Sequence, residues 1–261
     1  MLREQGAEVT SVALDPSGMD MGLLREAVEA QRPELLYVIP NFQNPAGYTY
    51  TEERRRELLE IAAEHDLLVL EDDPYGQLYF DTPPPASLFE RGTHDKVIYA
   101  SSYSKTVSPG LRVGYLVLPE ALASAMEKRA NNTYISPSLL GQAAVYEFTD
   151  AGNLEPNIAR CRTMLQERHD AMCDALDELL PEVEYSRPNG GYFLWAKLPG
   201  GVTGDELLSV AGEHGVSFVP GSAFGENCDR FIRLAFSYPS PAEVKEGVAR
   251  LARALSAVPV S

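Results

Sequence analysis

Cysteine is scarce in this 261-residue sequence: Cys161, Cys173 and Cys228 are odd in number, far apart and without a Cys-x-x-Cys pair. That spacing suggests neither a disulfide framework nor a zinc site. Histidine is nearly as rare, and His65, His94, His169 and His214 fall in separate segments without metal-ligand spacing, so none is given a metal role. No apolar run approaches the length that spans a bilayer, and the opening MLREQGAEVT is too polar for the apolar core of a secretory leader. These absences lead to the expectation of a cytoplasmic protein with no membrane partner. Basic residues are outnumbered, 22 against 38 acidic ones, which leaves a formal net charge of −16 with arginine as the main base. A surface so acidic is poorly suited to neutralising phosphates, and no nucleic-acid contact by this chain is expected. The same excess suits a protein that stays soluble in concentrated salt.

What is present is an ordinary globular composition, 44% hydrophobic, enough to bury a substantial core in one large domain or two smaller ones. Apolar runs alternate with amphipathic ones. AEVTSVAL reads as a strand, MGLLREAVEA as a helix, ELLYVIP as a strand, and TEERRRELLEIAAEHD as a helix with Thr51 as its N-cap. DLLVLEDD, KVIYASS and RVGYLVLP read as three further strands. Near-continuous apolar strands separated by helices predict an α/β layer, a mostly parallel sheet with helices on both faces. After Pro137 helical periodicity runs to about Leu180, broken near TDAGNLEPN. The strand GGYFLWAKLP, the helix TGDELLSVAGEHG, the strands VSFVP and RFIRLAFS and the helix PAEVKEGVARLARALS follow. This predicts a smaller α+β domain, with the division at residues 1–152 and 153–261.

Ligands of such sheets collect beyond the carboxyl ends of the strands, and four stretches end there. SSYSKTVSPGLRVGY sets Lys105 among serines, with Arg112 beyond a Pro-Gly turn; a solvated loop lysine is the plain alternative. IPNFQNPAGYTYT places Asn44 at a tight turn whose backbone its amide commonly bonds. LEDDPYGQLYF leaves Asp72, Asp73 and Tyr75 at a strand end, as a metal site, a helix cap, a counter-ion to a buried cation or a solvated end. RFIRLAFS buries Arg233 in an apolar strand, where a guanidinium needs a partner from the protein or from a ligand.

An amine, hydroxyls and an arginine for a phosphate, a carboxylate for a pyridinium and donors for a phenolate oxygen together suit pyridoxal 5′-phosphate. Through PNFQNPAG, LEDDPYG, SYSKTVSPGLRVGY, NGGYFLW and RLAFS, the sequence from about Glu8 onward resembles the class I/II aminotransferases of PLP fold type I. Within them it resembles the branch of 2-aminoadipate and kynurenine aminotransferases and the aminotransferase-like domain of MocR regulators. The resemblance implies transfer of an α-amino group from an amino acid to a 2-oxo acid through a Lys105 Schiff base. It implies that Asp72 pairs with the pyridine N–H, that Tyr75 and Asn44 bond the ring oxygen, and that Ser102, Ser104 and Arg112 hold the phosphate. Arg233 is implied to grip the substrate carboxylate, Asn44 is counted with it as substrate-binding, and Asp73 is left structural. The family's earlier part, with a glycine-rich turn, a ring-stacking aromatic and residues shared across a homodimer, would precede AEVTSVAL. Without it an exposed sheet edge and impaired activity are expected. A PLP-binding effector domain and an inactive remnant are the alternatives.

Overall fold

The computed structural model describes residues 3–92 and 95–258, so His94 lies outside the described residues. In chain order the elements are β1 (Leu14–Asp15), β2 (Gly18–Met19), α1 (Met21–Gln31), β3 (Leu35–Val38), α2 (Glu52–Glu64), β4 (Leu68–Asp72), α3 (Leu88–Arg91), β5 (Val97–Ser102), β6 (Gly114–Val117), α4 (Glu120–Tyr134), α5 (Leu139–Asp150), α6 (Leu154–Leu179), β7 (Glu184–Tyr185), β8 (Phe193–Lys197), α7 (Gly204–Ala211), β9 (Val219–Pro220), β10 (Phe231–Ala235) and α8 (Pro241–Ala257). They gather into two compact units. The first holds the chain up to Pro40 with Tyr48–Pro74 and Pro84–Ala151; the second holds Asn41–Gly47, Tyr75–Pro83 and the chain from Gly152 onward.

In the first unit a four-stranded sheet runs β3-β4-β5-β6. The first three strands are parallel, and β6 returns antiparallel to β5. Period-two burial fixes the faces: in β4, Val69 and Glu71 are buried while Leu68, Leu70 and Asp72 are half-buried. The buried face packs with Met21, Leu24 and Val28 of α1 and Leu58 and Ile61 of α2. Local chemistry sets the helix starts. The Asp20 carboxylate accepts the Leu23 N–H at 3.0 Å, and the Thr51 hydroxyl accepts the Arg54 N–H at 3.3 Å. The opposite side of the sheet borders a groove of about 550 Å³ shared with α4.

Two expectations change here. AEVTSVAL is not a strand: only Leu14 is, in the two-residue β1 paired to β2, because among the described residues no ladder forms beside residues 7–13. The strand within RVGYLVLP is antiparallel, which the short connection from Ser102 to Gly114 requires, since a parallel crossover needs a dozen or more residues and usually a helix. Helix α4 was not anticipated from the sequence.

Glu71 and Arg55 form a buried pair, both side chains at 0% exposure, with Arg55 Nη1 4.0 Å from Glu71 Oε1. Arg55 also donates to the carbonyls of Tyr50 (3.1 Å), Pro40 (3.1 Å) and Ala86 (3.3 Å). The Glu71 oxygens accept the N–H groups of Leu88 (3.0 Å) and Phe89 (2.9 Å). Burial pushes the Glu71 carboxyl up and the Arg55 guanidinium down, while each partner's charge opposes the other's shift.

The second unit is an antiparallel sheet in the order β7-β8-β10-β9, backed by α6 and α8. Its core joins Leu165, Met172 and Leu176 of α6 to Leu194 and Ala196 of β8, Ile232 and Leu234 of β10, and Val248 and Leu251 of α8. The helix α8 starts in a capping box, with Ser240 and Glu243 satisfying each other's backbone N–H groups and Pro241 in the first turn. Residues 41–47 and 75–83 join this unit through Gly190 and Gly191. A Cβ on Gly190 would stand 2.5 Å from the Leu78 carbonyl oxygen, and one on Gly191 2.6 Å from Phe42 Cβ.

Candidate functional site

In the first unit the polar residues singled out in the sequence come to one end of the sheet. The β4–β5 register pairs Asp72 with Ala100, so β5 continues past it to Ser102 and into the turn that carries Lys105. That turn is closed by the Val107 N–H on the Tyr103 carbonyl at 2.8 Å, and the Ser104 N–H points to the Ser102 hydroxyl at 3.4 Å. Lys105 is half-buried and the adjacent Thr106 is buried, so the lysine is not on a fully solvated loop. Gly114 pairs with Ser102 across the hairpin, which brings Arg112 to the same end. Arg112 is exposed, adopts a left-handed φ of 55°, and donates to the Pro109 carbonyl at 3.3 Å. Asp72, Ser101, Ser102, Tyr115, Met126 and Tyr134 line the groove described above.

The two adjacent acids are held differently. Asp72 Oδ2 accepts the Tyr37 hydroxyl at 2.6 Å. Burial pushes the Asp72 carboxyl above the usual carboxylate range and the Asp73 charge adds to the rise, while the Tyr37 hydrogen bond works against both. Asp73 accepts the Tyr99 hydroxyl at 3.1 Å, and its carbonyl accepts the Ser101 hydroxyl at 2.8 Å. Among the described residues no cation forms an ion pair with Asp72.

The second unit holds Asn44, Tyr75 and Arg233. The sequence left Asn44 open as the residue that bonds its own turn, and that work falls to Gln43, whose Oε1 accepts the Ala46 N–H at 2.8 Å. Asn44 Oδ1 instead accepts Arg233 Nη1 at 2.7 Å. The Arg233 guanidinium lies over the rings of Phe193 and Phe224, its central carbon 4.3 and 5.1 Å from their centroids. Its Nε is buried with no hydrogen-bond partner among the described residues. Burial lowers the Arg233 pKa from its ordinary value, with Tyr75 acting in the opposite sense. Tyr75 is itself buried, its ring 5.5 Å from Tyr192 and 6.0 Å from Phe193.

Among the described residues the fold therefore offers an anion with no cation, Asp72, in the first unit, and a cation with no anion, Arg233, in the second. At the same end of the sheet as the first come an amine, hydroxyls and the arginine of the 102–112 segment. Sequence reasoning missed Tyr37, Tyr99, Phe193 and Phe224. A tyrosine on the exposed positions of β3, one residue before the strand's last residue, was the one available signal. Among the described residues no group of three His, Cys, Asp or Glu side chains is placed to hold a metal, and no helix is long and apolar enough to cross a membrane.

The sequence matches the family model of class I and II aminotransferases over residues 1–251. It is 39% identical over 263 residues to a 2-aminoadipate transaminase of Thermus thermophilus, covering 97% of this chain and 65% of that protein. It is 30% identical over 256 residues to an uncharacterised HTH-type transcriptional regulator of Bacillus subtilis, covering 96% of this chain and 52% of the regulator. The crystal structure of an α-aminoadipate aminotransferase from Thermus thermophilus, complexed with N-(5′-phosphopyridoxyl)-L-leucine, superposes with a TM-score of 0.92 at 37% identity, covering 98% of this chain and 67% of that one. The chain spans about three-fifths of the length of the curated aminotransferases it matches.

Proposed function

Because the chain belongs to the class I and II aminotransferases, with the α/β fold of the fold type I enzymes, we propose that it forms the larger part of a pyridoxal 5′-phosphate-dependent aminotransferase. The reaction is transfer of an α-amino group from an amino acid to a 2-oxo acid. The observation that carries this reading is the pair of unmet charges. A half-buried carboxylate without a cation fits a protonated ring nitrogen, and a half-buried guanidinium whose Nε has no partner fits a substrate carboxylate. The residues present thus fit the cofactor. When bound, pyridoxal 5′-phosphate supplies an electrophilic carbon and a protonated ring that takes up the electron pair left at the substrate Cα.

The rest is done by the chain. Asp72 keeps the ring nitrogen protonated by accepting its N–H. Asn44 and Tyr75 hold the ring oxygen. The Ser102 and Ser104 hydroxyls and the Arg112 fork hold the phosphate. Lys105 Nζ is the amine that holds the cofactor and then moves the proton at the substrate Cα. Arg233 orients the substrate by two parallel bonds to its carboxylate, and Asn44 fixes the guanidinium that makes them. Residues 1–152 are assigned to the cofactor-binding large domain and 153–261 to the small domain. We place the complete protein in the cytoplasm as a homodimer, and the formal charge of −16 supports the absence of nucleic-acid contact by this chain.

The test is titration with pyridoxal 5′-phosphate. The parent should develop near-visible absorption that Lys105→Ala abolishes, and equal spectra for the two would refute the lysine assignment. The similarity to an HTH-type regulator favours a second reading, an effector domain that binds the same cofactor without transferring an amino group. Conversion of the bound cofactor to its amine form by a mixture of common amino acids separates the two, and an inactive remnant would bind no cofactor.

A further inference from the structure

The Asp72 carboxylate has two oxygens, and one is already engaged. The Tyr37 hydroxyl donates to Oδ2 at 2.6 Å, the length of a hydrogen bond to an ionised acceptor. The parallel register sets Tyr37 beside Leu70. Asp72, two residues farther along β4, rises from the same face. The two strands thus deliver hydroxyl and carboxylate to one side of the sheet by their pairing alone. Its neighbours Leu36 and Val38 are buried, while Tyr37 is 48% exposed.

We infer that Tyr37 is a positioning residue of the cofactor site, holding Oδ2 of Asp72 so that the other carboxylate oxygen is presented to a protonated ring nitrogen. The inference rests on the proposed cofactor. The groups around Asp72 give the tyrosine its work. Immediately after β4 Asp73 places a second negative charge, and on β5 the paired Ala100 and the nearby Ser102 carry none. Tyr99 of β5 is committed to Asp73 and does not reach Asp72. Burial and Asp73 both disfavour the ionised form of Asp72, and the Tyr37 hydroxyl is the group that favours it. Each acid of the pair therefore has its own tyrosine from a flanking strand, and the one on Asp72 comes from β3.

The experiment compares this chain with its Tyr37→Phe and Asp72→Ala variants. Two probes are titrated against each by absorbance: pyridoxal 5′-phosphate and its carbocyclic analogue, in which the ring nitrogen is replaced by C–H. Both probes keep the aldehyde and the phosphate, so only the bond to Asp72 distinguishes them. The parent should prefer the pyridine, Asp72→Ala should bind the two alike, and Tyr37→Phe should lose about tenfold of the preference, the scale of one charge-assisted hydrogen bond. Affinity for the analogue should be unchanged in Tyr37→Phe, which keeps the ring and the fold. A Tyr37→Phe variant that retains the full preference while Asp72→Ala loses it overturns the Tyr37 role and leaves the proposed function standing. Equal weakening of both probes in Tyr37→Phe shows a structural residue and also overturns it. Failure of the parent to bind either probe overturns the proposed cofactor, and the inference falls with it.

Discussion

Replacing Arg55 by methionine removes a guanidinium that touches four segments of the first unit, and its cost can be set from the geometry. The Pro40 carbonyl keeps the Tyr50 N–H and the Ala86 carbonyl keeps Arg91 Nε, so among the described residues the Tyr50 carbonyl is the one left without a donor, while the Glu71 carboxylate loses its cation at a side chain with 0% exposure. Breaking one partner of a buried pair costs about 3–5 kcal/mol, and the one orphaned carbonyl adds about 1 kcal/mol. Glu71 softens the loss because it keeps the Leu88 and Phe89 N–H bonds. A loss of about 4 kcal/mol is therefore expected, a large share of the 5–15 kcal/mol typical of a whole domain. Arg55→Lys keeps the charge but not the three-way fork, and should lose about 2 kcal/mol. The assay is urea unfolding followed by far-UV circular dichroism, with the midpoint falling and the slope unchanged. The pH dependence has a definite sign. The folded-state pKa of Glu71 already lies above its ordinary value of 4.5 and rises further without Arg55, so its penalty develops as pH climbs past 4.5 and fades below it. The Arg55→Met deficit should therefore shrink on acidification. A loss under about 1 kcal/mol, or a deficit that grows in acid, refutes the argument from burial.

Asp72→Asn should raise the stability of the cofactor-free chain relative to the parent as pH increases above the ordinary aspartate value of 3.8. A carboxyl whose folded pKa is raised binds its proton more tightly when folded, so the parent loses stability over that range and the amide does not. Paired unfolding curves at pH 3 and pH 7 read this directly, and a difference that is flat or of opposite slope counts against it. Arg233→Met should stay within about 1 kcal/mol of the parent in the same assay, because the guanidinium it removes has no counter-charge and its ring contacts are replaced by apolar ones. A loss above about 2 kcal/mol would identify Arg233 as a structural cation instead.

What the sequence disclosed was what local signals determine. Thr51 marks the start of α2 because a hydroxyl bonds an N–H three residues on. The strand ends at Asp72 and Ser102 are legible because apolar runs stop there, which is enough to bring the acid, the serines and Lys105 to one sheet end. Helix α4 was invisible because it buries no residue among those described, so it carries no apolar stripe to read. AEVTSVAL alternates like a strand, yet alternation says only that one face would suit a core and not that a neighbour is present to pair with. The Asn44 contact spans 189 residues to Arg233, and the Tyr37 contact spans 35 to Asp72. No spacing rule reaches such pairs. In the first case the turn chemistry of NPAG pointed to a local bond that Gln43 makes in its place.

Glu71 and Asp72 are neighbours on one strand and put the difference between structure and function in a single peptide. Their side chains leave opposite faces of the sheet. On the buried face Glu71 meets two N–H groups and a guanidinium, so its charge is answered from within the fold. On the other face Asp72 meets one hydroxyl, with a second acid beside it and burial acting against its charge. A fold selected for stability alone would neutralise such a carboxylate or replace it with an apolar residue, as an uncompensated buried charge is among the costliest things a small domain can keep. Arg233 repeats the pattern with the opposite sign, bracketed by two rings and one amide with its Nε unmet. Among the described residues each of the two positions therefore keeps a charge that the fold around it does not answer, one negative and one positive, where Glu71 and Arg55 show what an answered pair looks like.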